Sequence, residues 1–228
     1  KELTVKLREF RYYVETEPGL IIRRETKAYY EREMRTMAGE MVGHYNRVWG
    51  RPELAALRSK KFAEVLAIGG GHPGLESRMN TSRIRVLDPM AEMYESCVDV
   101  FLAHNPGAPK VVFEAGVFEG PKTIGKATCV TMCHMLEHMP MEKAEEQLAY
   151  LGKSRADIVI YGPNADCMQS DGWLHAMPVH EHLWMGGLEW TTEWAQKQTG
   201  REARFAIAHD HDLCIWLPAP RGKAKKGK

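Results

Sequence analysis

The stretch EVLAIGGGHPGLE (Glu64–Glu76), followed closely by RIRVLDP (Arg83–Pro89), decides the fold class of this chain. Val65 to Ile68 is a short apolar run of strand length that enters a glycine turn. Gly69, Gly71 and Gly74 keep the GxGxxG spacing of a nucleotide-binding loop, where glycine lets the backbone turn sharply and lie close to a ligand. The N-terminus of a helix after the loop would add free N–H groups. Arg83 to Asp88 reads as a second strand. Its terminal acid falls about 20 residues beyond the first glycine, the place from which a carboxylate accepts hydrogen bonds from a ribose. Glycine spacing alone is weakly specific. Strand, loop and distal acid together point to a nucleotide-binding α/β fold.

Outward from this core, strand-like and helix-like runs alternate from Lys61 onward, the pattern of a mostly parallel sheet covered on both faces. Strands are predicted at 64–68, 83–88, 110–114, 127–133 and 156–161, and helices at about 74–80, 90–103, 141–152 and 187–199, the last ended by Gly200. The chain finishes RFAIA, then His209-Asp210-His211-Asp212, then LCIWLP: two strands around a polar turn. The reading is an α/β fold with a seven-stranded, mostly parallel, doubly wound sheet and a terminal antiparallel hairpin, preceded by N-terminal helices. In the N-terminal segment Tyr29, Met34, Met37, Met41 and Tyr45 recur at helical spacing and form one apolar stripe, expected to pack over the cofactor or acceptor cleft.

A chain of 228 residues suits one sizeable α/β domain with its own core. No apolar run approaches the roughly 20 residues of a membrane span. The five cysteines (Cys97, Cys129, Cys133, Cys167, Cys214) form no CxxC pair, so reduced, mostly buried thiols and a cytoplasmic location are expected. The net charge of +1 conceals basic ends, +5 over residues 1–61 and +5 over 221–228, around an acidic body of −9. Such ends could meet a nucleic acid, or be a solvated helical face and a disordered tail.

These features resemble class I S-adenosylmethionine-dependent methyltransferases: alternating strands with a terminal hairpin, a glycine loop after the first strand, an acid ending the second. The segment ATCVTMCHMLEHMP (Ala127–Pro140) resembles the family's fourth strand with its LEH continuation. DIVIYGPN (Asp157–Asn164) resembles its fifth strand ending in Pro-Asn, and PVHEHLW (Pro178–Trp184) the His-rich turn before the last helix. The resemblance implies an N-terminal helical cap over residues 1–60, an S-adenosylmethionine-binding methyltransferase domain over 61–218 and a disordered basic tail over 219–228. It implies that Gly69, Gly71 and Gly74 surround the methionine end of the cofactor. Asp88 would hold the ribose, with Pro89, Met90 and Val117 beside the adenine, and Cys133 and His134 would face the transferred methyl. Three positions depart from the family: Ala67 stands where an acid usually precedes the first glycine, Val117 where an acid often follows the third strand, and Thr128 where an Asp opens the fourth.

Methyl transfer from a sulfonium asks chiefly for positioning, but a hydroxyl acceptor usually needs a base or a metal. His134-Met135-Leu136-Glu137-His138 is the candidate cluster, and on a helix 134, 137 and 138 would share a face. Three readings compete. The cluster can be a helix start whose Glu137 and His138 cap and pack. It can be a divalent-metal site completed by His180 or His182, its nitrogen-rich ligands favouring Zn²⁺, Fe²⁺ or Mn²⁺ over Mg²⁺. It can be an inverted zinc-peptidase HxxEH motif, against which its place at the end of a parallel strand argues. Without a metal, the imidazoles would act as general base with their tautomers set by Glu137. The His209–Asp212 cluster is expected to be a solvated turn, and Trp173, Trp184, Trp190 and Trp194 either wall an acceptor pocket or form a core stripe. The expected activity is methyl transfer to an O or N atom of a small molecule. A nucleic-acid methyltransferase and a catalytically degenerate cofactor-binding regulator are the alternatives.

Overall fold

The computed structural model describes residues 7–9, 43, 47–69, 71, 73–89, 91–95, 98, 107–167, 183–209 and 211–220. Along the first half run β1 (Leu7–Glu9), α1 (Ala55–Ser59), β2 (Lys61–Phe62), β3 (Val65–Ile68), β4 (Asn80–Thr81), β5 (Arg83–Asp88), α2 (Ala91–Glu95) and β6 (Lys110–Ala115). Then follow α3 (Pro121–Ile124), β7 (Cys129–Cys133), α4 (Met141–Gly152), β8 (Asp157–Pro163), β9 (Trp184–Gly186), α5 (Leu188–Thr199), β10 (Phe205–His209) and β11 (Asp212–Leu217).

The main sheet has seven strands in the order β6-β5-β3-β7-β8-β11-β10. The first five are mutually parallel, and β11 runs antiparallel to both β8 and β10. This is the expected sheet with its terminal hairpin. Strands covered on both faces must be apolar throughout, and every residue of β7 and β8 is buried. Leu66, Ile68, Val130, Met132, Ile158 and Ile160 face the side covered by α4 and α5, where Leu148, Leu151 and Trp194 complete the core. The alternate residues Val65, Cys129, Cys133, Val159 and Tyr161 face the other side, against Val48, Trp49, Leu54 and Leu57. Val48, Trp49, Leu54 and Leu57 therefore share a core with the sheet.

Asp157, 1% exposed at the start of β8, ties three parts of the chain together. Its carboxylate accepts hydrogen bonds from Lys60 Nζ (2.7 Å), Trp216 Nε1 (2.9 Å) and the Ala219 N–H (2.8 Å).

Several expectations are corrected. The helix predicted over 74–80 is a single 3-10 turn, Glu76–Arg78, and Asn80–Thr81 instead pairs in parallel with Lys61–Phe62. Asn and Thr are poor helix formers, and the Thr81 hydroxyl donates to the Arg83 carbonyl instead. The N-terminal segment, expected to be helical, contributes β1, which pairs antiparallel with β9, Leu7 opposite Gly186. Of the helix expected over 90–103, Ala91–Glu95 is α2 and residue 98 is helical, and the rest lies outside the described residues. Tyr29, Met34, Met37, Met41, Tyr45, Trp173 and the tail 221–228 lie outside the described residues.

Candidate functional site

The strand order places β5, β3 and β7 side by side, so their C-terminal ends line one edge of the sheet. In open parallel sheets such an edge is where ligands bind. The glycine loop leaves β3 there, Asp88 ends β5, and His134 follows β7.

Gly69 (φ +59°) and Gly71 (φ +43°) both adopt left-handed backbone conformations that disfavour a Cβ. The Gly69 N–H donates to the Leu87 carbonyl at 2.8 Å, fixing the loop to β5. A side chain at Gly69 would overlap Met135 Cγ, and one at Gly71 would overlap the Tyr94 ring. The bare loop backbone is thus in close contact with the residue after His134 and with α2. Gly74 is buried, and its carbonyl accepts the Ser77 hydroxyl at 2.8 Å. Asp88 is buried, Pro89 is exposed, and Met90 lies outside the described residues. Val117, just beyond β6, is the one large hydrophobic side chain left exposed among the described residues, at 50%.

His134 is the only non-glycine residue with positive φ (+48°) among the described residues. Such strain persists where the surroundings enforce it. Here the His134 N–H donates to the Tyr161 carbonyl (2.8 Å) across the β7–β8 pairing. Its Nδ1 lies 3.4 Å from Glu137 Oε1, and its Nε2 lies 3.6 Å from Asp212 Oδ1. The other oxygen of Asp212 accepts the Tyr161 hydroxyl at 2.8 Å, and the Tyr161 ring meets the imidazole edge-on at 5.4 Å between centroids. Burial opposes protonation of His134, but the Glu137 hydrogen bond and the charges of Asp212 and Glu137 outweigh it and raise its pKa above the ordinary value. The imidazole keeps 37% of its side-chain surface open.

The helical face expected to unite 134, 137 and 138 does not form. Only Leu136–His138 makes a 3-10 turn, because His134 sits in the left-handed region and Met139 must be extended before Pro140 (φ −119°, ψ 157°). Glu137 is nevertheless central: it is buried, 3.4 Å from His134 and 4.0 Å from His138 Nε2. Its backbone carbonyl accepts the Leu183 N–H at 2.7 Å. His134 turns both ring nitrogens to carboxylates rather than to a shared point. No group of three or more His, Cys, Asp or Glu set to hold a metal ion is found among the described residues, and His180 and His182 lie outside them.

Asp212 is the residue that the sequence reading left in a solvated turn. It is the first residue of β11, paired with Pro163 and buried. Strand alternation puts it on the same face as Cys214 and Trp216, both buried. That period-two pattern was the available signal. The tryptophans resolve as core: Trp184 and Trp194 are buried, 5.1 Å apart, and Trp190 stacks on Trp194 at 5.6 Å. Cys133 is buried beside His134. Burial raises the Cys129 thiol well above its ordinary pKa and pushes Cys214 up to about 12, so neither is a nucleophile at neutral pH.

No family model matches the sequence, and no curated protein sequence matches it. Solved structures do. An O-methyltransferase family protein from Burkholderia thailandensis superposes with a TM-score of 0.62 at 15% identity, over 89% of this chain and 62% of that one. NcsB1, an O-methyltransferase from neocarzinostatin biosynthesis solved with S-adenosylmethionine and 2-hydroxy-5-methyl naphthoic acid, gives 0.55 at 16%, over 86% and 60%. DhpI, solved with S-adenosylhomocysteine, gives 0.54 at 16%, over 86% of this chain and 96% of that one. The chain spans about 60% of the length of the first two. The fold is the class I S-adenosylmethionine-dependent methyltransferase fold.

The residues present fit that cofactor. Two glycines in left-handed conformations leave loop backbone bare, Asp88 ends the neighbouring strand, and half-exposed Val117 offers an apolar surface beyond β6. The acids missing at 67, 117 and 128 are the discordant positions.

Proposed function

We propose that this chain is an S-adenosylmethionine-dependent methyltransferase that methylates a hydroxyl of a small-molecule acceptor, with His134 as general base. One observation carries the reading: at one edge of the sheet, a left-handed glycine loop adjoins a strained histidine held between two carboxylates. A neutral amine attacks without first losing a proton, whereas a hydroxyl is a weak nucleophile until its proton is drawn off, so a positioned base matters most for an oxygen acceptor. The neighbours described as O-methyltransferases support the oxygen acceptor.

The bound cofactor supplies an activated methyl group on a sulfonium leaving group. Gly69, Gly71 and Gly74 would hold its amino-acid end, Asp88 its ribose, and Val117 would cover part of its base. His134 would accept the acceptor's proton at Nε2, whose 3.6 Å separation from Asp212 Oδ1 exceeds hydrogen-bond range, while Nδ1 stays turned to Glu137; Glu137 and Asp212 then stabilise the resulting imidazolium. The imidazolium then releases that proton from Nε2 to solvent, which the partly exposed side chain reaches. Glu137, with its carboxylate buried and its backbone tied to Leu183, keeps the imidazole in register.

Calorimetry with S-adenosylhomocysteine and NAD tests the cofactor. S-adenosylhomocysteine should bind in the micromolar range and NAD should not; Asp88→Ala should weaken the former by about 1.5–3 kcal/mol. Binding of NAD alone would overturn the reading. Methyl transfer from labelled S-adenosylmethionine to phenols and hydroxy acids, against amines and RNA, then tests the acceptor. Transfer to amines or RNA alone would remove the hydroxyl assignment.

A further inference from the structure

Position 67, two residues before the loop, is alanine, yet a carboxylate still lies at that level of the sheet. Ala67 and Thr131 are paired in register on adjacent parallel strands, about 4.8 Å apart. Alternation puts both on the face that Val65, Cys129 and Cys133 bury. Glu76, in the 3-10 turn after the glycine loop, is fully buried on that face and accepts the Thr131 hydroxyl through Oε1. Its Oε2 has no hydrogen-bond partner among the described residues.

A fully buried carboxylate with one oxygen lacking a partner is costly, because the Thr131 hydroxyl and its own backbone N–H return only part of the lost hydration. Burial raises the Glu76 pKa, and hydrogen bonds from Thr131 and from its own backbone N–H only partly offset this. No donor among the described residues reaches Oε2. Such a group gains when a cation or N–H donor is brought to it. The site sits one pleat below the loop, and the cofactor proposed above carries a cationic amino-acid end that the loop is to hold.

We propose that Glu76, reaching back over Ala67 from beyond the glycine loop, supplies the counter-charge for the α-ammonium group of the cofactor, in place of an acid at position 67. This rests on the cofactor reading above. Glu76 recognises the amino-acid end and takes no part in the transfer itself. The alanine at 67 is then a requirement, since it leaves room for the Glu76 carboxyl beside Thr131.

The test compares two ligands on the full chain by calorimetry: S-adenosylhomocysteine, which carries the α-ammonium, and 5′-methylthioadenosine, which lacks the amino-acid end. Glu76→Gln should weaken S-adenosylhomocysteine about tenfold or more, the scale of one charge-assisted hydrogen bond, and leave methylthioadenosine unchanged. The ligand-free variant should melt no lower than wild type near pH 7, since a carboxyl whose folded pKa is raised subtracts stability as pH rises above its unfolded value. Equal weakening of both ligands with a lower melting point would show a purely structural role and overturn the proposal. So would unchanged affinity for both. If Glu76→Gln does not fold, Thr131→Val decides: selective loss of S-adenosylhomocysteine supports the proposal, and equal loss or none overturns it. Wild type that binds neither ligand overturns the cofactor reading and this one with it; wild type that binds S-adenosylhomocysteine while the variants stay unselective overturns this one alone.

Discussion

Replacing Gly69 by alanine measures how tightly the glycine loop is interlocked with the segment that carries His134. Gly69 holds φ +59°, and a Cβ there would overlap Met135 Cγ and lie 3.2 Å from Met135 Cβ. Two costs combine. A residue with a Cβ in the left-handed region loses about 1–2 kcal/mol. Met135, 9% exposed, would have to leave its packed position, at about 1–3 kcal/mol. Gly69→Ala should therefore destabilise by about 2–5 kcal/mol, a substantial share of the 5–15 kcal/mol typical of a domain. In Gly69→Ala/Met135→Ala the overlap with Cγ is gone and only the 3.2 Å contact with Cβ remains, so most of the second cost should vanish while the backbone cost stays. The double-mutant cycle should show a favourable coupling of about 1–3 kcal/mol. Urea denaturation of the four proteins, followed by tryptophan fluorescence, reads each term. Strictly additive losses would refute the contact between Met135 and the loop. A Gly69→Ala protein within about 0.5 kcal/mol of wild type would refute the left-handed backbone itself.

His134→Ala should cut methyl transfer about 10²–10⁴-fold while S-adenosylhomocysteine affinity stays within twofold of wild type, checked by single-turnover kinetics and calorimetry. Because Glu137 and Asp212 raise the His134 pKa, the basic form should appear, and activity should rise, at a pH above the ordinary histidine value; Asp212→Asn should move that acidic limb to lower pH, and an unmoved limb would remove Asp212 from the site. The same raised pKa gives stability that is fully present below the unfolded value and lost as pH rises through the folded one. Asp212→Asn should thus destabilise more near pH 5 than near pH 9 in urea melts. Asp157→Ala should cost about 2–4 kcal/mol at neutral pH, chiefly by leaving the Trp216 N–H buried without an acceptor, with a smaller part from the Ala219 N–H; the half-exposed Lys60 can turn to water and adds little.

Much of the fold was legible because its strands are self-declaring. VLAI and DIVIYGP are apolar on both faces, as a strand inside a parallel sheet must be, RIRVLD is apolar on the Ile84–Val86 face, and all three bounds came out within a few residues of the observed β3, β8 and β5. Helix α4 matched its expected 141–152, since Pro140 marks its start and Ala144, Leu148 and Leu151 recur at helical spacing. Local reading failed where the partner is remote. The 74–80 segment has helical character in isolation, but Asn80–Thr81 finds β2 and becomes a strand. The HMLEH segment looked like one helical face, yet the Tyr161 carbonyl captures the His134 N–H and turns the chain away.

The sequence by itself determined the order of the seven main-sheet strands, the glycine turn after β3 and the nearness of His134 to Glu137, because each depends on residues within a few positions of one another or on a periodic pattern. Tertiary structure decided what lies across the sheet. Asp212 comes from the terminal hairpin, 78 positions after His134, and reaches Nε2 because β11 pairs antiparallel with β8, whose Tyr161 holds its other oxygen. Glu76 meets Thr131 over Ala67, 55 positions apart, because β3 and β7 are parallel neighbours. Strand pairing brings such groups within hydrogen-bond range at no fixed sequence separation, so no spacing rule encodes them; only the closed sheet, with its alternation of faces, sets which side chains meet.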